Sequence, residues 1–226
     1  MKFTCAICNT ELISTEQKAK CSFCGQMEEA EWICPNGHYH CEECRLSDAE
    51  EIVIRICSNS TSTDPVEIVN LIMHHPTFHA HGVEHHLIVA PAIITALINA
   101  NKINLTKDKL KLAIQRVTDI PMGVCGSRGD CGASTGAGIV ISLILKASFR
   151  SEKERPLVLE ATGQALIDLA KKGGRRCCKQ SVYSTIETTY KFLQEKQITT
   201  ITSPIIKCEF KGIEECKKEQ CGYFGQ

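Results

Sequence analysis

Cysteine spacing constrains this chain more strongly than any other feature of its sequence. The chain has 15 cysteines in 226 residues, and seven of them lie within residues 5–44. Six of these seven form pairs with the Cys-x-x-Cys spacing, which allows both thiolates of a tight turn to bind one metal ion. The pairs are Cys5 and Cys8, Cys21 and Cys24, and Cys41 and Cys44. Together with Cys34 and a histidine, either His38 or His40, they supply enough ligands for two zinc ions.

Two groupings of these ligands are open. In a sequential grouping, the first two cysteine pairs bind one ion, and Cys34, a histidine and the third pair bind the other. In a cross-brace, the ligand pairs alternate between the two ions. The string Cys-x-x-Gly-His-x-x-Cys-x-x-Cys, which begins at Cys34, resembles treble-clef and RING-like fingers. Because the RING spacing is not kept, we carry over no ubiquitin-ligase activity from that resemblance. An iron–sulfur cluster is the alternative to zinc.

The polar segment 58–65 divides the chain. We predict a zinc-knuckle module at 1–46, a connector at 47–63 and a helical Cys/His-rich domain at 64–226. A module of about 46 residues buries too little apolar surface to be stable alone, so bound metal is expected to supply its folding energy. The predicted fold class is mostly α, with a treble-clef or ribbon-like knuckle module followed by a helical bundle.

Caps and apolar spacing predict six helices in the larger domain. The first begins at Pro65, and the second covers about 84–100 with a kink at Pro91. Thr106 is expected to cap the third. The fourth covers about 133–148 and is apolar on all sides, which favours a central helix but also permits a strand. The fifth runs from Pro156 to Gly173, and the sixth from Ser181 to about 197. Short strands are expected in the knuckle module and at 198–209.

Composition narrows the class of protein. Lysine plus arginine and aspartate plus glutamate both number 26, so the net charge is zero, and the knuckle module itself is acidic. This balance argues against a nucleic-acid or anionic-lipid partner. The sequence has no apolar run of about 18 residues and no apolar leader at its start, so we expect no membrane association and a cytoplasmic location. In a reducing compartment, clustered cysteines are metal ligands or reactive thiols more often than disulfides.

A histidine string lies between His74 and His86, where six of the eight histidines occur. His79, His81 and His85 are candidate metal ligands, and on a helix the last two would share one face. A surface histidine-rich loop is the alternative. The segment His81-Gly-Val-Glu84-His85 also resembles the inverzincin H-x-x-E-H signature, which implies a zinc hydrolase in which Glu84 activates water. The segment Phe-His-Ala-His-Gly within this string resembles a motif found in one family of formylmethanofuran dehydrogenase components.

A glycine–cysteine loop at 123–138 leads into the apolar fourth helix. Its glycines let backbone N–H groups approach a ligand, so Gly129 and Gly132 are candidate cofactor-binding residues. A helix N-terminus favours thiolate, so Cys125 and Cys131 are candidate catalytic residues. Tight helix packing is the alternative explanation. The string Gly-x-Cys131-Gly-Ala-x-Thr-Gly-Ala resembles the C-GCAxxG-C-C family, which is associated with redox activity, and this resemblance implies a cysteine-lined redox or metal site. The whole layout resembles an uncharacterised cysteine-rich domain family of unknown function.

A basic segment follows at 171–179. Arg175 and Arg176 are candidates for binding an anionic substrate or cofactor, and Cys177 and Cys178 are candidate catalytic thiols in a setting that favours thiolate. A solvated charged helix end is the alternative. Further ligands are available from Cys208, Cys216 and Cys221 near the end of the chain. If Cys125, Cys131, one of the adjacent pair and Cys208 converge, they can hold an iron–sulfur cluster or form a dithiol–disulfide pair.

These features favour a cytoplasmic zinc protein whose helical domain carries a second Cys/His site for redox or sulfur chemistry. There a thiolate is the nucleophile or metal ligand, and Glu84 or a histidine handles protons. The alternative is a non-catalytic zinc-finger adaptor, with a protein partner on the knuckle module, or a metal-storage protein.

Overall fold

The structure is a computed structural model, and it describes residues 3–175, 177–210, 213 and 216–225. Arg176, one of the predicted anion-binding residues, lies outside the described residues. The described part of the chain contains short strands near its start and helices over most of the remainder. The predicted mostly α fold, with a cysteine-rich module before a helical domain, is therefore confirmed.

The N-terminal module is built from two small antiparallel hairpin-like pairs. Its strands are β1 (Ile13–Ser14), β2 (Lys18–Lys20), β3 (Met27–Glu29) and β4 (Trp32–Ile33). Strand β1 pairs with β4, and β2 pairs with β3. The outer pair encloses the inner one, so segments that are distant in sequence lie side by side. The module ends in the short helix α1 (Glu42–Leu46), which begins at Cys41.

Eight helices follow in the described residues. They are α2 (Ala49–Asn59), α3 (Pro65–Met73), α4 (Val89–Asn99), α5 (Lys109–Gln115), α6 (Val124–Ser127), α7 (Gly132–Ile144), α8 (Glu154–Lys172) and α9 (Cys178–Glu195). Single turns of 3-10 helix cover Val83–His86 and Lys218–Gln220. No helix in this described part is both long and apolar enough to cross a membrane.

Helix α2 lies inside the predicted connector. Asp48 begins it with a capping box, in which its side chain accepts from the Glu51 N–H and the Glu51 carboxylate accepts from the Asp48 N–H. Its apolar face, which includes Ile52 and Ile56, is buried among the other helices. The polar composition of 58–65 marks only the loop between α2 and α3, so most of the segment 47–63 contributes to the core.

Helix α7 lies at the centre of the bundle, as its apolar sequence predicts, and packs against α4, α8 and α9. The strand alternative for this segment is wrong. Glycines allow the close approach: a methyl group at Gly138 would lie 2.2 Å from Thr162 Oγ1 and 2.9 Å from the Val158 carbonyl oxygen on α8. A larger residue at this position would therefore push α8 away from the core.

Three local predictions differ from the structure. The segment predicted as one helix at 84–100 is divided into a 3-10 turn and α4, and Pro91 lies in the first turn of α4, where a missing N–H costs nothing. Helix α5 begins after Asp108 rather than at Thr106, whose hydroxyl donates to the Asp108 carboxylate. Residues 198–209, all of them described, form no strand.

The knuckle module packs directly against the helical domain. His75, just after α3, lies with its Nε2 2.7 Å from the Cys44 carbonyl oxygen, and its ring meets the Phe23 ring edge-on at 5.1 Å. Arg55 of α2 forms an ion pair with Glu43 of α1 at 2.7 Å. Because Cys44 and Phe23 are part of the same buried cluster as the helices, the two regions share one continuous core.

Candidate functional site

Two sets of four residues in the knuckle module can each hold a metal ion. In each set, the sulfur or nitrogen ligand atoms all lie within 4.8 Å of one another. The first set is Cys5, Cys8, Cys34 and His38, and the second is Cys21, Cys24, Cys41 and Cys44. Each set therefore takes alternate ligand pairs along the chain, which is the cross-brace grouping. The strand pairing of β1 with β4 is what brings the first and third ligand pairs together.

The backbone around these cysteines stabilises thiolates. The Asn36 N–H donates to Cys34 Sγ at 3.4 Å, the Cys44 N–H donates to Cys41 Sγ at 3.4 Å, and the Cys41 N–H donates to Cys21 Sγ at 3.4 Å. Gly37 adopts a φ of +84°, which favours glycine and lets the turn after Cys34 close. Hydrogen bonds to sulfur favour the ionised, metal-binding form of a cysteine.

The electrostatics of the second set fit a cation. Burial raises the pKa of Cys41 to about 11, and it raises the pKa of Cys44 further. Four buried thiols this close together cannot all ionise unless a positive charge compensates them. In the first set, the hydroxyl of Thr10 and the side-chain amide of Asn36 lower the pKa of Cys8 to about 5. Both donor sets, with three or four sulfurs, suit a soft ion in a closed tetrahedral shell.

His40, the alternative ligand to His38, lies outside both sets. Its ring stacks on Phe23 with centroids 4.4 Å apart, and its Nε2 is buried without a hydrogen bond to the described residues. Burial lowers the pKa of His40 to about 4, so the ring is neutral at pH 7. It contributes to the contact between the knuckle module and the helical domain.

The histidine string is not folded as an α-helix. His81 precedes the 3-10 turn that carries His85, so these two residues do not share a helical face. His79 is 76% exposed, and its Nδ1 lies 3.7 Å from Glu84 Oε1, whereas His85 is fully buried. Within the described ranges, the knuckle sets are the groups that gather three or more ligand atoms within 4.8 Å, so His79, His81 and His85 are not assembled around one ion.

A cavity of about 30 Å³ gathers side chains from three predicted segments, and we call it the Cys131 cavity. Cys131 begins α7 and is 8% exposed, Cys178 is the first residue of α9, and Cys125 lies on α6 and is exposed. The histidine string contributes His85 and His86 to the same lining. The structure thus brings the glycine–cysteine loop, one of the two adjacent cysteines and one predicted histidine ligand together.

The loop between Cys125 and Cys131 is closed on itself. The Asp130 N–H donates to the Val124 carbonyl oxygen at 3.3 Å, and these two residues immediately precede the two cysteines. Gly129 adopts a φ of +72°, the left-handed conformation that the turn requires. The two cysteines are therefore held at the same end of the loop.

Gly132 leaves room for a histidine ring. A methyl group at this position would lie 2.3 Å from His86 Cγ, so the space beside Gly132 is filled by His86. Arg175 is exposed and lies outside the lining of this cavity.

Lys179 is a buried cation beside the cavity, and the sequence marks it only as part of a basic segment. It is 3% exposed, and its Nζ donates to the His79 carbonyl oxygen at 2.9 Å and lies 3.4 Å from His85 Nε2. Burial lowers the pKa of Lys179 and lowers the pKa of His85 to about 3. Glu84 Oε1 lies 3.6 Å from His85 Nδ1. A signal for this burial exists, because Lys179 shares the helical face of the buried residue Tyr183.

The two adjacent cysteines face different surroundings. Cys178 lines the Cys131 cavity, whereas Cys177 lines a second cavity of about 20 Å³ together with Cys208, Cys216 and Cys221. The basic setting predicts thiolate at Cys177, but burial is the largest effect there and raises its pKa. The predicted convergence is therefore divided: Cys125, Cys131 and Cys178 meet in one cavity, and Cys208 meets Cys177 in the other.

Comparison with known families supports the domain layout. No curated protein and no solved structure matches the chain significantly. A family model with the description "Family of unknown function (DUF5714)" matches residues 53–224, a range that contains both cavities and excludes the knuckle ligands. Because that match covers most of the chain, the chain belongs to this family of unknown function.

Proposed function

We propose that this chain is a zinc-stabilised protein that performs thiol–disulfide exchange in its Cys131 cavity. The supporting observation is that three cysteines from separate segments line one cavity beside a buried lysine. In this proposal, both knuckle sets hold zinc. Four protein ligands fill a zinc coordination shell, so the knuckle zincs are structural and leave no position open for chemistry.

The exposed Cys125 is the proposed first nucleophile, and Cys131 is the proposed resolving thiol. The Cys125 thiolate attacks one sulfur of a substrate disulfide, which breaks the S–S bond, forms a mixed disulfide and releases one thiolate. The Cys131 thiolate then attacks the Cys125 sulfur and releases the second thiolate. The two cysteine protons pass to the two released thiolates. The substrate disulfide thus gains two electrons, and the cysteine pair loses them.

Charged groups beside the cavity support this chemistry. The Lys179 ammonium interacts with the Cys178 thiol at the cavity wall, and a nearby cation favours thiolate. Because His85 is neutral, it adds no charge that would compete with Lys179. Glu84, next to His85, is the group that we propose accepts protons from the cavity. A cytoplasmic location is part of the proposal, since reducing conditions keep such a pair available for reaction.

Trapping the mixed disulfide tests this assignment. Oxidised glutathione is added to the zinc-loaded full chain, and released thiol and intact mass are measured. The wild type is expected to release two thiols per chain and to retain no glutathione. Cys131→Ser is expected to release one thiol and to retain one glutathione at Cys125, and Cys125→Ser is expected to release none.

Two controls separate the reaction from changes in the fold. Cys57→Ala alters a buried thiol of the helical core outside both the knuckle ligands and the cavity lining, and it should react like the wild type. Cys178→Ser keeps the Cys125 and Cys131 pair and should also release two thiols. If Cys125→Ser reacts like the wild type, the proposal is wrong. A visible absorption band with bound iron would instead favour the iron–sulfur alternative for this cavity.

An adaptor role is the second candidate function, and a groove on the knuckle module favours it. The groove has a volume of about 830 Å³, and acidic residues line it beside exposed aromatic rings. The acidic residues are Glu28, Glu29, Glu31 and Glu42. Phe3 and Trp32 meet edge-on at 5.5 Å and are both exposed. Charge complementarity favours a basic peptide as the partner.

The only tryptophan of the chain gives a direct assay for this second candidate. Addition of an arginine- and lysine-rich peptide should change the fluorescence of Trp32 at low salt and should do so less at high salt. Glu29→Lys should weaken the response, whereas Glu154→Lys on α8, outside the groove, should leave it unchanged. No change of fluorescence in the wild type would count against the adaptor role.

A further inference from the structure

Four cysteines surround the second cavity, between the start of α9 and the C-terminal segment. Cys177 immediately precedes α9, Cys208 lies on the segment after it, and Cys216 and Cys221 flank the final 3-10 turn. All four side chains are partly buried. Thiols from three places in the chain thus line a single small space.

Two of these cysteines accept the same backbone hydrogen bonds as the knuckle ligands. The Lys218 N–H donates to Cys216 Sγ at 3.4 Å, which matches the Asn36 N–H bond to Cys34 Sγ, also two residues on and 3.4 Å long. The Gln180 N–H donates to Cys177 Sγ at 3.5 Å.

The bond at Cys177 matches the 3.4 Å bond from the Cys44 N–H to Cys41 Sγ, which also spans three residues. Such bonds direct lone pairs of the sulfur and stabilise its ionised form, as metal binding requires.

Other contacts hold the remaining two sulfurs near the same space. The Cys208 N–H donates to the Tyr223 carbonyl oxygen at 3.0 Å, which fixes the segment of Cys208 against the end of the chain. The Gln180 side-chain amide donates to Cys221 Sγ at 3.7 Å. The Lys217 ammonium donates to Gln180 Oε1 at 2.7 Å, so a positive charge lies beside the four thiols.

We propose that Cys177, Cys208, Cys216 and Cys221 form a third metal centre, which binds one soft divalent ion of the zinc class. The cavity volume of about 20 Å³ is room for one water-sized ion. The sulfurs are spread more widely than in the knuckle sets, and bonds of about 2.3 Å would draw them together. Four thiolates around a divalent ion leave a negative charge, which Lys217 and the buried Lys179 offset.

This centre fastens the C-terminal segment to α9 and is separate from the proposed thiol–disulfide exchange. It withdraws Cys177 from reaction and leaves its neighbour Cys178 in the Cys131 cavity. The family match includes all four cysteines, so the centre belongs to the helical domain rather than to the knuckle module.

Metal content of the full chain, purified without oxygen and loaded with zinc, tests the proposal. The wild type should hold three zinc ions, and Cys216→Ser with Cys221→Ser should hold two. Cys131→Ser, which removes the proposed exchange reaction, should still hold three, so the two proposals fail separately. A wild type that holds two ions, or a double variant that keeps three, would overturn the third centre.

Cobalt gives a measurement that does not depend on any variant. With Co²⁺ in place of zinc, the sulfur-to-metal absorption reports the number of thiolate bonds. Three centres give eleven such bonds per chain, and the knuckle sets alone give seven. The absorption per chain should therefore be about 1.6 times that of the knuckle sets alone. A value for seven bonds, or iron with a visible cluster band in place of one ion, would refute the single-ion centre.

Discussion

Replacement of Gly132 by alanine tests the packing of the Cys131 cavity. The new methyl group would lie 2.3 Å from His86 Cγ and 2.5 Å from His86 Nδ1, far inside normal contact, so the ring must move. Overpacking of this kind costs about 1–3 kcal/mol. Alanine also gains about 0.5–1 kcal/mol over glycine in a helix, so we expect a net loss of about 1–2 kcal/mol in the free energy of unfolding.

Gly163 is the matched control on α8. No heavy atom of the described residues lies within 4 Å of a methyl group at that position, so Gly163→Ala should retain only the helical gain of about 0.5–1 kcal/mol. Urea unfolding of the zinc-loaded chain, followed by helix circular dichroism, measures both variants. The two changes are expected to have opposite signs. If Gly132→Ala is as stable as Gly163→Ala, the ring of His86 does not occupy the space beside Gly132.

Three further outcomes follow from buried polar groups and caps. Tyr183→Phe should lower the free energy of unfolding by about 1–3 kcal/mol in urea titrations, because it leaves the buried Asn70 Oδ1, now 2.6 Å from the hydroxyl, without that donor. Asp48→Ala should cost about 1 kcal/mol through loss of the α2 cap, measured in the same way. Burial lowers the pKa of His85 to about 3, so below pH 6.5 the unfolded chain binds the proton first, and stability falls by up to about 1.4 kcal/mol per pH unit. His85→Gln should reduce that slope, and an unchanged slope would contradict the burial of a neutral ring.

Local signals in the sequence are sufficient for the ligands and for most helices. The Cys-x-x-Cys pairs identify the knuckle ligands because both thiols lie in one turn. Asp64 and Pro65 mark the start of α3 because the cap and the fixed φ act on adjacent residues. The grouping of the ligands is not predictable, because it depends on the pairing of β1 with β4 across the module. The choice of His38 over His40 depends on the same pairing.

The composition of the two cavities depends on long-range packing and cannot be read from spacing. Cys177 and Cys178 are adjacent in sequence, yet α9 directs them to different cavities. The pairing of His81 with His85 assumes a helix, but the residues before Val83 form a loop, so an i, i+4 argument does not apply. Helix α2 is hidden by the polar residues that follow it. In each case, the deciding contact joins residues from separate helices.

Mapping the disulfide that forms in the zinc-loaded wild type is the most direct test of the proposed exchange reaction. The chain is equilibrated with oxidised and reduced glutathione, alkylated, digested and analysed by mass spectrometry. The account predicts one disulfide, between Cys125 and Cys131, while the knuckle cysteines stay reduced and both knuckle zincs stay bound. A chain in which these two cysteines remain reduced, or in which the first disulfide joins knuckle cysteines, would contradict it.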